Sequence, residues 1–168
     1  MTAALTGSGP DKNGVSSREN KDLLVPDIFE KAEELGVESK YVEGNIKILN
    51  TAIEPVLNPD FNKNGTTDDE IFSTALEAVS GDSGFIFVHF HGIDDSGHDH
   101  GPLADKTLEV ISKTDGYIRK LTADWTGKVI ITADHGMHEA DKGGDHGLVL
   151  YQDMFVPYII SDGGNIDE

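Results

Sequence analysis

The sequence contains no cysteine, which excludes disulfide frameworks and thiolate-held metals. It is also poor in basic residues: 13 Lys and Arg stand against 31 Asp and Glu, a formal charge of −18. A surface this acidic repels nucleic-acid backbones, so a polymeric nucleic acid is not expected as a partner, and anionic membrane surfaces are disfavoured. An anionic small molecule remains compatible if a local cation overrides the overall field. No apolar run approaches the roughly 18 residues of a membrane span. The opening MTAALTGSGPDKNG lacks a basic stretch followed by an apolar core and does not read as a signal peptide. Internal repeats and low-complexity segments are absent as well.

What is present is an ordinary globular balance, 37% hydrophobic and 26% charged over 168 residues. That length suits a single domain burying roughly 70% of its unfolded surface. Residues 1–25 read as a polar loop. Pro26 stands at a first helical position, with Ile28, Phe29, Ala32 and Leu35 on a helix that Gly36 ends. Lys40 to Val42 and Ile46 to Leu49 read as extended segments, and Pro55 to Gly65 as loop. Thr67 and Glu70 form a capping box for a helix reaching about Val79. The run Phe85 to His91 between two glycines reads as a buried strand. Leu103 to Trp125 reads as a helix that Gly116 interrupts, and Val129 to Thr132 and Val156 to Ile160 as strands. Alternating strands and helices imply an α/β fold with a mostly parallel sheet.

Histidine is distributed unevenly. All seven lie between His89 and His146, and the first 88 residues have none. Asp94, Asp95, Asp99, Asp134, Glu139, Asp141 and Asp145 are interspersed with them. Imidazole and carboxylate together are the ligand set of zinc and similar divalent ions. In open α/β sheets, ligands bind beyond the carboxyl ends of strands. Asp94 and His98 follow one expected strand, Asp134 and His135 follow another, and His146 can fold back to the same edge. Gly92, Gly97, Gly136 and Gly147 would give these loops freedom to wrap an ion. Burying five such groups without an ion would be costly. For His89 and His91 a structural role beside the strand competes with a ligand role, and His100 and His138 read as loop or supporting groups.

Asp94-Asp95-Ser96-Gly97-His98-Asp99-His100-Gly101-Pro102 resembles the D-x-x-G-H-x-x-G-P motif of the type I phosphodiesterase/nucleotide pyrophosphatase family, a branch of the alkaline phosphatase superfamily. Thr132-Ala133-Asp134-His135-Gly136-Met137 resembles its T-x-D-H-G-M motif. Asp145-His146-Gly147 is similar to its later His-Gly element, and the opening TAALTGSGPDKNGV is similar to the segment after its nucleophile. The resemblance implies an alkaline-phosphatase-like sandwich, a central sheet flanked by helices, with residues 1–168 forming a single partial hydrolase domain. It implies a metal-dependent phosphoester hydrolase acting on a small phosphate ester or nucleotide. Two zinc ions would be held, or other divalent metals: one by Asp94, His98 and His146, the other by Asp134 and His135.

By the same resemblance the nucleophile would lie upstream of Met1. No catalytic nucleophile is then expected in this chain, whose fold would be N-terminally truncated. Thr2 and Thr6 fall after the nucleophile in that pattern. The missing strand would leave a sheet edge at which a second copy could pair to form a homodimer. Two alternatives stay open: a non-catalytic metal-binding remnant, and a phosphatase, sulfatase or phosphoglycerate-mutase-like relative. Separately, Asp60-Phe61-Asn62-Lys63-Asn64-Gly65 matches the opening of a calcium loop. Its twelfth position is Ile71 where a bidentate Glu is needed, so a polar turn is the favoured reading.

Overall fold

A computed structural model describes residues 1–17 and 19–164. It is a mixed α/β structure that divides by internal packing into two units, Met1–His89 and Phe90–Glu168.

The first unit opens with two short helices where the sequence suggested loop, α1 (Thr2–Thr6) and α2 (Pro10–Asn13). Pro10 supplies a preset φ at the first helical position, and burial of Leu5 ties α1 to the core. Helix α3 (Ile28–Glu34) is capped by Asp27, one residue after Pro26. Asp27 Oδ1 accepts from the Phe29 and Glu30 N–H groups, both at 2.9 Å, and Oδ2 accepts from Ala52 N–H at 2.7 Å. One buried carboxylate thus satisfies orphan helix donors and fastens a distant loop.

A parallel sheet follows, in the order β2-β1-β3: β1 (Ser39–Glu43), β2 (Val56–Leu57) and β3 (Phe85–Val88). Strand β2 lies within the stretch expected to be loop, and residues 46–49 form no strand. Helix α4 (Asp68–Val79) packs on β1 and β3, with Ile71 and Ala75 fully buried. The core is aromatic. Phe29 stacks on Tyr41 at 5.3 Å between ring centroids, and Phe85 and Phe87 close around the pair.

The expected capping box at α4 does not form. Thr67 makes no side-chain cap bond; Asp68 N–H goes to Thr66 Oγ1 instead. Glu70 Oε1 accepts from the Phe61 and Asn62 N–H groups. The calcium-like segment is a turn in which Asp60 accepts from the Asn64 and Gly65 N–H groups, while the Asn62 and Asn64 amides donate to Asp69.

In the second unit, helix α5 (Gly92–His100) packs on α6 (Asp105–Ala123). Two sequence expectations need correction here. Residues 92–100 are helix, not a loop freed by Gly92 and Gly97, and α6 passes through Gly116 without a break. Buried Thr107 locks the two helices by donating to the Gly101 carbonyl at 2.7 Å. Strands β4 (Lys128–Thr132) and β7 (Tyr158–Asp162) pair antiparallel, with Ile130 opposite Ile160. The parallel expectation therefore holds for β1–β3 and fails for this pair. The last strand also starts two residues later than the sequence suggested, after the short helix α7 (Tyr151–Met154).

A small hairpin, β5 (His138–Glu139) and β6 (Gly144–Asp145), turns against α5. Gly143, at φ +74°, permits that turn: a Cβ there would lie 1.8 Å from the His98 carbonyl oxygen. Only glycine fits a left-handed position pressed so closely on another backbone.

Candidate metal centre

The helical form of residues 92–100 decides how the first motif works. Asp94 and His98 stand four residues apart, so they share one face of α5 one turn apart, and His98 Nε2 lies 3.5 Å from Asp94 Oδ1. The hairpin brings His146 to the same oxygen, with Nε2 at 3.6 Å. The loop after β4 brings His135, with Nε2 at 3.9 Å from Asp94 Oδ1 and 3.7 Å from Asp134 Oδ1. Asp94, His98 and His146 offer ligand atoms all within 4.8 Å of one another. All five residues singled out from the sequence therefore meet in one place. The His135 and His146 rings stack at 3.7 Å, and His98 and His146 lie 5.0 Å apart.

The details suit a cation. Asp94 Oδ1 is inaccessible to solvent yet makes no hydrogen bond, although three imidazole nitrogens surround it. An orphaned buried carboxylate oxygen costs free energy unless something positive meets it. The spacings are too long for N–H···O bonds. Those of His98 and His146 match ligand atoms around one ion, since donors about 2.0–2.2 Å from a tetrahedral metal stand about 3.3–3.6 Å apart. The imidazoles are also oriented. His98 Nδ1 lies 2.9 Å from the Gly144 carbonyl, and His135 Nδ1 2.9 Å from the Gly136 carbonyl. A carbonyl only accepts, so each Nδ1 is the donor, and the neutral form of each ring then has its Nε2 lone pair on the side of Asp94. Backbone carbonyls serve this orienting role at metal-bound histidines generally.

The remaining histidines go elsewhere. His89 pairs through Nδ1 with Glu43, a fully buried carboxylate on β1, at 3.1 Å to both oxygens. Glu43 also accepts from the Tyr41 hydroxyl at 2.5 Å and Gly44 N–H at 2.8 Å. Burial, reinforced by the Glu43 carboxylate, pushes the Tyr41 phenol well above its ordinary range. Glu43 is thus a structural partner for His89, and the ligand alternative stands beside it, because the two belong to a group of side chains that could hold an ion. His91 is the N-cap residue of α5, and His100 lies exposed at its last turn. His138 donates from Nδ1 to Asp153 Oδ1 at 2.7 Å. Burial opposes ionisation of Asp153, but the His138 and Leu148 donors outweigh it and hold the carboxyl below its ordinary value.

Sequence reasoning missed Asp153 and Glu43. Each is an acidic residue in an apolar neighbourhood, outside any recognisable motif. A cleft of about 450 Å³ is lined by Pro102, Leu103, Met137, His138, Glu139, Leu150 and Gln152, of which Met137 stands two residues after His135 in the loop following β4.

Among known proteins, the chain is similar to the catalytic subunit of GPI ethanolamine phosphate transferase 3. The mouse (Mus musculus) protein is 31% identical over 97 residues, 54% of this chain and 9% of the relative. The human (Homo sapiens) protein is 32% identical over 82 residues, 46% of this chain and 7% of the relative. The matched stretch is thus under a tenth of either relative's length. The family model of type I phosphodiesterase / nucleotide pyrophosphatase matches residues 30–157, a span that contains every residue of the cluster, and the chain belongs to that family.

Proposed function

We propose that this chain carries the metal-holding part of a phosphoester-cleaving catalytic domain, one alkaline-phosphatase-like hydrolase domain of the phosphodiesterase/pyrophosphatase type. The observation that supports it most is Asp94 Oδ1, buried and without a hydrogen bond among three imidazoles, two of them oriented by backbone carbonyls. Asp94, His98 and His146 would hold one divalent ion, and Asp134 and His135 would contribute to a second; zinc suits this nitrogen and oxygen donor set. When bound, two such ions neutralise phosphoryl charge and stabilise the attacking and leaving oxygens.

The chain's own contribution is to fix the ligands. α5 sets the Asp94–His98 pair, and the Gly144 and Gly136 carbonyls set which imidazole nitrogen faces inward. The cleft that Met137 lines would take the organic part of a small phosphate ester or nucleotide. No residue of this chain is assigned as nucleophile. The two relatives are named as ethanolamine phosphate transferases, which agrees with phosphoester chemistry without defining a substrate here. A chain with a formal charge of −18 would repel phosphate unless metal is present.

The test is calorimetric titration of inorganic phosphate and of vanadate into zinc-loaded and zinc-free protein. Binding that requires zinc and disappears in Asp94→Ala supports the proposal. Zinc held tightly with no affinity for either anion would favour a non-catalytic metal-binding domain instead.

We also propose self-association through the β4–β7 pair, where Ile130, Tyr158, Ile159 and Ile160 are all more than half exposed. Exposed apolar strands invite pairing with a second copy. Sedimentation equilibrium showing a monomer at all concentrations would count against it.

A further inference from the structure

One buried carboxylate near the cluster has no part in the metal reading. Asp153 on α7 is 4% exposed, and its bonds reach both histidine-bearing loops. Its Oδ2 accepts from Leu148 N–H at 2.9 Å, two residues beyond His146. Its backbone carbonyl accepts from Gly136 N–H at 2.8 Å, directly beside His135. The same Gly136 supplies the carbonyl that orients His135. Its Oδ1 accepts from His138 on β5 at 2.7 Å, and β5 pairs with the strand that leads into His146. Gly136 sits so tightly on α7 that a Cβ would lie 1.9 Å from the Gln152 carbonyl oxygen.

We propose that Asp153 is a positioning residue: it fixes the His135 and His146 loops relative to one another, so that both imidazoles reach Asp94. This rests on the metal reading of the cluster. The physical reason is that a loop ligand loses conformational freedom when it binds an ion. A clamp that holds the loops beforehand lowers that loss. Two hydrogen bonds to a buried carboxylate and one to its own backbone form such a clamp, and it joins the loop after β4, strand β5 and the loop after β6.

The experiment uses the full chain as wild type, Asp153→Ala, Asp153→Asn and Leu148→Pro. Zinc affinity is measured by competition with a chromophoric chelator, the visible spectrum of the cobalt-loaded form is recorded, and metal-free melting checks the fold. Asp153→Ala is expected to weaken zinc about 10- to 100-fold, the range for groups that support metal ligands, and to change the cobalt bands.

Asp153→Asn keeps an oxygen for Leu148 and, after a tautomer switch, a partner for His138. It should recover most of the affinity. Leu148→Pro removes one donor and leaves Asp153 in place, so it should weaken zinc in the same direction even if Asp153→Ala fails to fold. Wild-type zinc affinity in a folded Asp153→Ala or in Leu148→Pro would overturn the proposal. Failure of the wild type itself to bind zinc would be a separate result, overturning the metal reading before any substitution is considered.

Discussion

The Tyr41–Glu43–His89 network makes a quantitative demand on the stability of the first unit. Glu43 is fully buried and accepts from the Tyr41 hydroxyl, Gly44 N–H and His89 Nδ1. Replacing it by alanine leaves the Tyr41 and Gly44 donors without this acceptor, at about 1–3 kcal/mol each. Breaking a buried charged network by removing one member costs about 3–5 kcal/mol in total. At about 2–4 °C per kcal/mol for a chain of this size, Glu43→Ala should lower the melting temperature by roughly 10 °C.

Glu43→Gln keeps the shape and one acceptor oxygen, and its amide can donate to the Tyr41 oxygen. Its cost should be nearer 1 kcal/mol. Paired thermal and urea unfolding of the two variants separates these values. Glu43→Ala within about 1 kcal/mol of wild type would refute the reasoning, because the network would then be a consequence of the fold and not a support for it.

Two further predictions concern the second unit. Gly143→Ala places a Cβ 1.8 Å from the His98 carbonyl oxygen at a φ of +74°. It should force the hairpin away from α5 and weaken zinc retention, measured by dialysis against free zinc, whereas a substitution at exposed Lys142 should not. Asp153 has its carboxyl held below the ordinary 3.8 in the folded state. Its contribution is therefore complete above pH 3.8 and is lost as pH falls through the lowered folded value. The stability difference between wild type and Asp153→Asn should be present at pH 7 and shrink on acidification below that value in urea titrations; a constant difference would contradict this.

Much of the candidate site was legible because residues able to hold a metal announce themselves by residue type. Asp94, His98, Asp134, His135 and His146 stand out in a chain whose first 88 residues hold no histidine, and all five converge. Their local geometry was less legible. Residues 92–100 contain two glycines and few apolar side chains, which reads as loop by propensity. Yet packing of α5 on α6, locked by Thr107, makes it helix and puts Asp94 and His98 on one face.

The failed capping box at Thr67 has a similar cause, because Glu70 is drawn to the Phe61 and Asn62 N–H groups of a long-range turn. Sheet direction was legible only in part. The alternation of strands and helices predicted the parallel β1–β3 arrangement, whereas β7 is reached through a short helix and returns antiparallel to β4. Asp153 and Glu43 could not be read at all. A buried carboxylate is defined by donors that the fold brings to it from 15 and 46 residues away, and no local pattern encodes that.

The central claim is that the cluster around Asp94 holds a metal ion. It is tested most directly by elemental analysis of metal per chain after zinc loading and exhaustive dialysis, for wild type and His98→Ala. The account predicts that wild type retains about one zinc at the three-ligand site, and that His98→Ala, left with two of its ligands, retains almost none. A wild-type chain that keeps no zinc, or a His98→Ala chain that keeps as much as wild type, would contradict it.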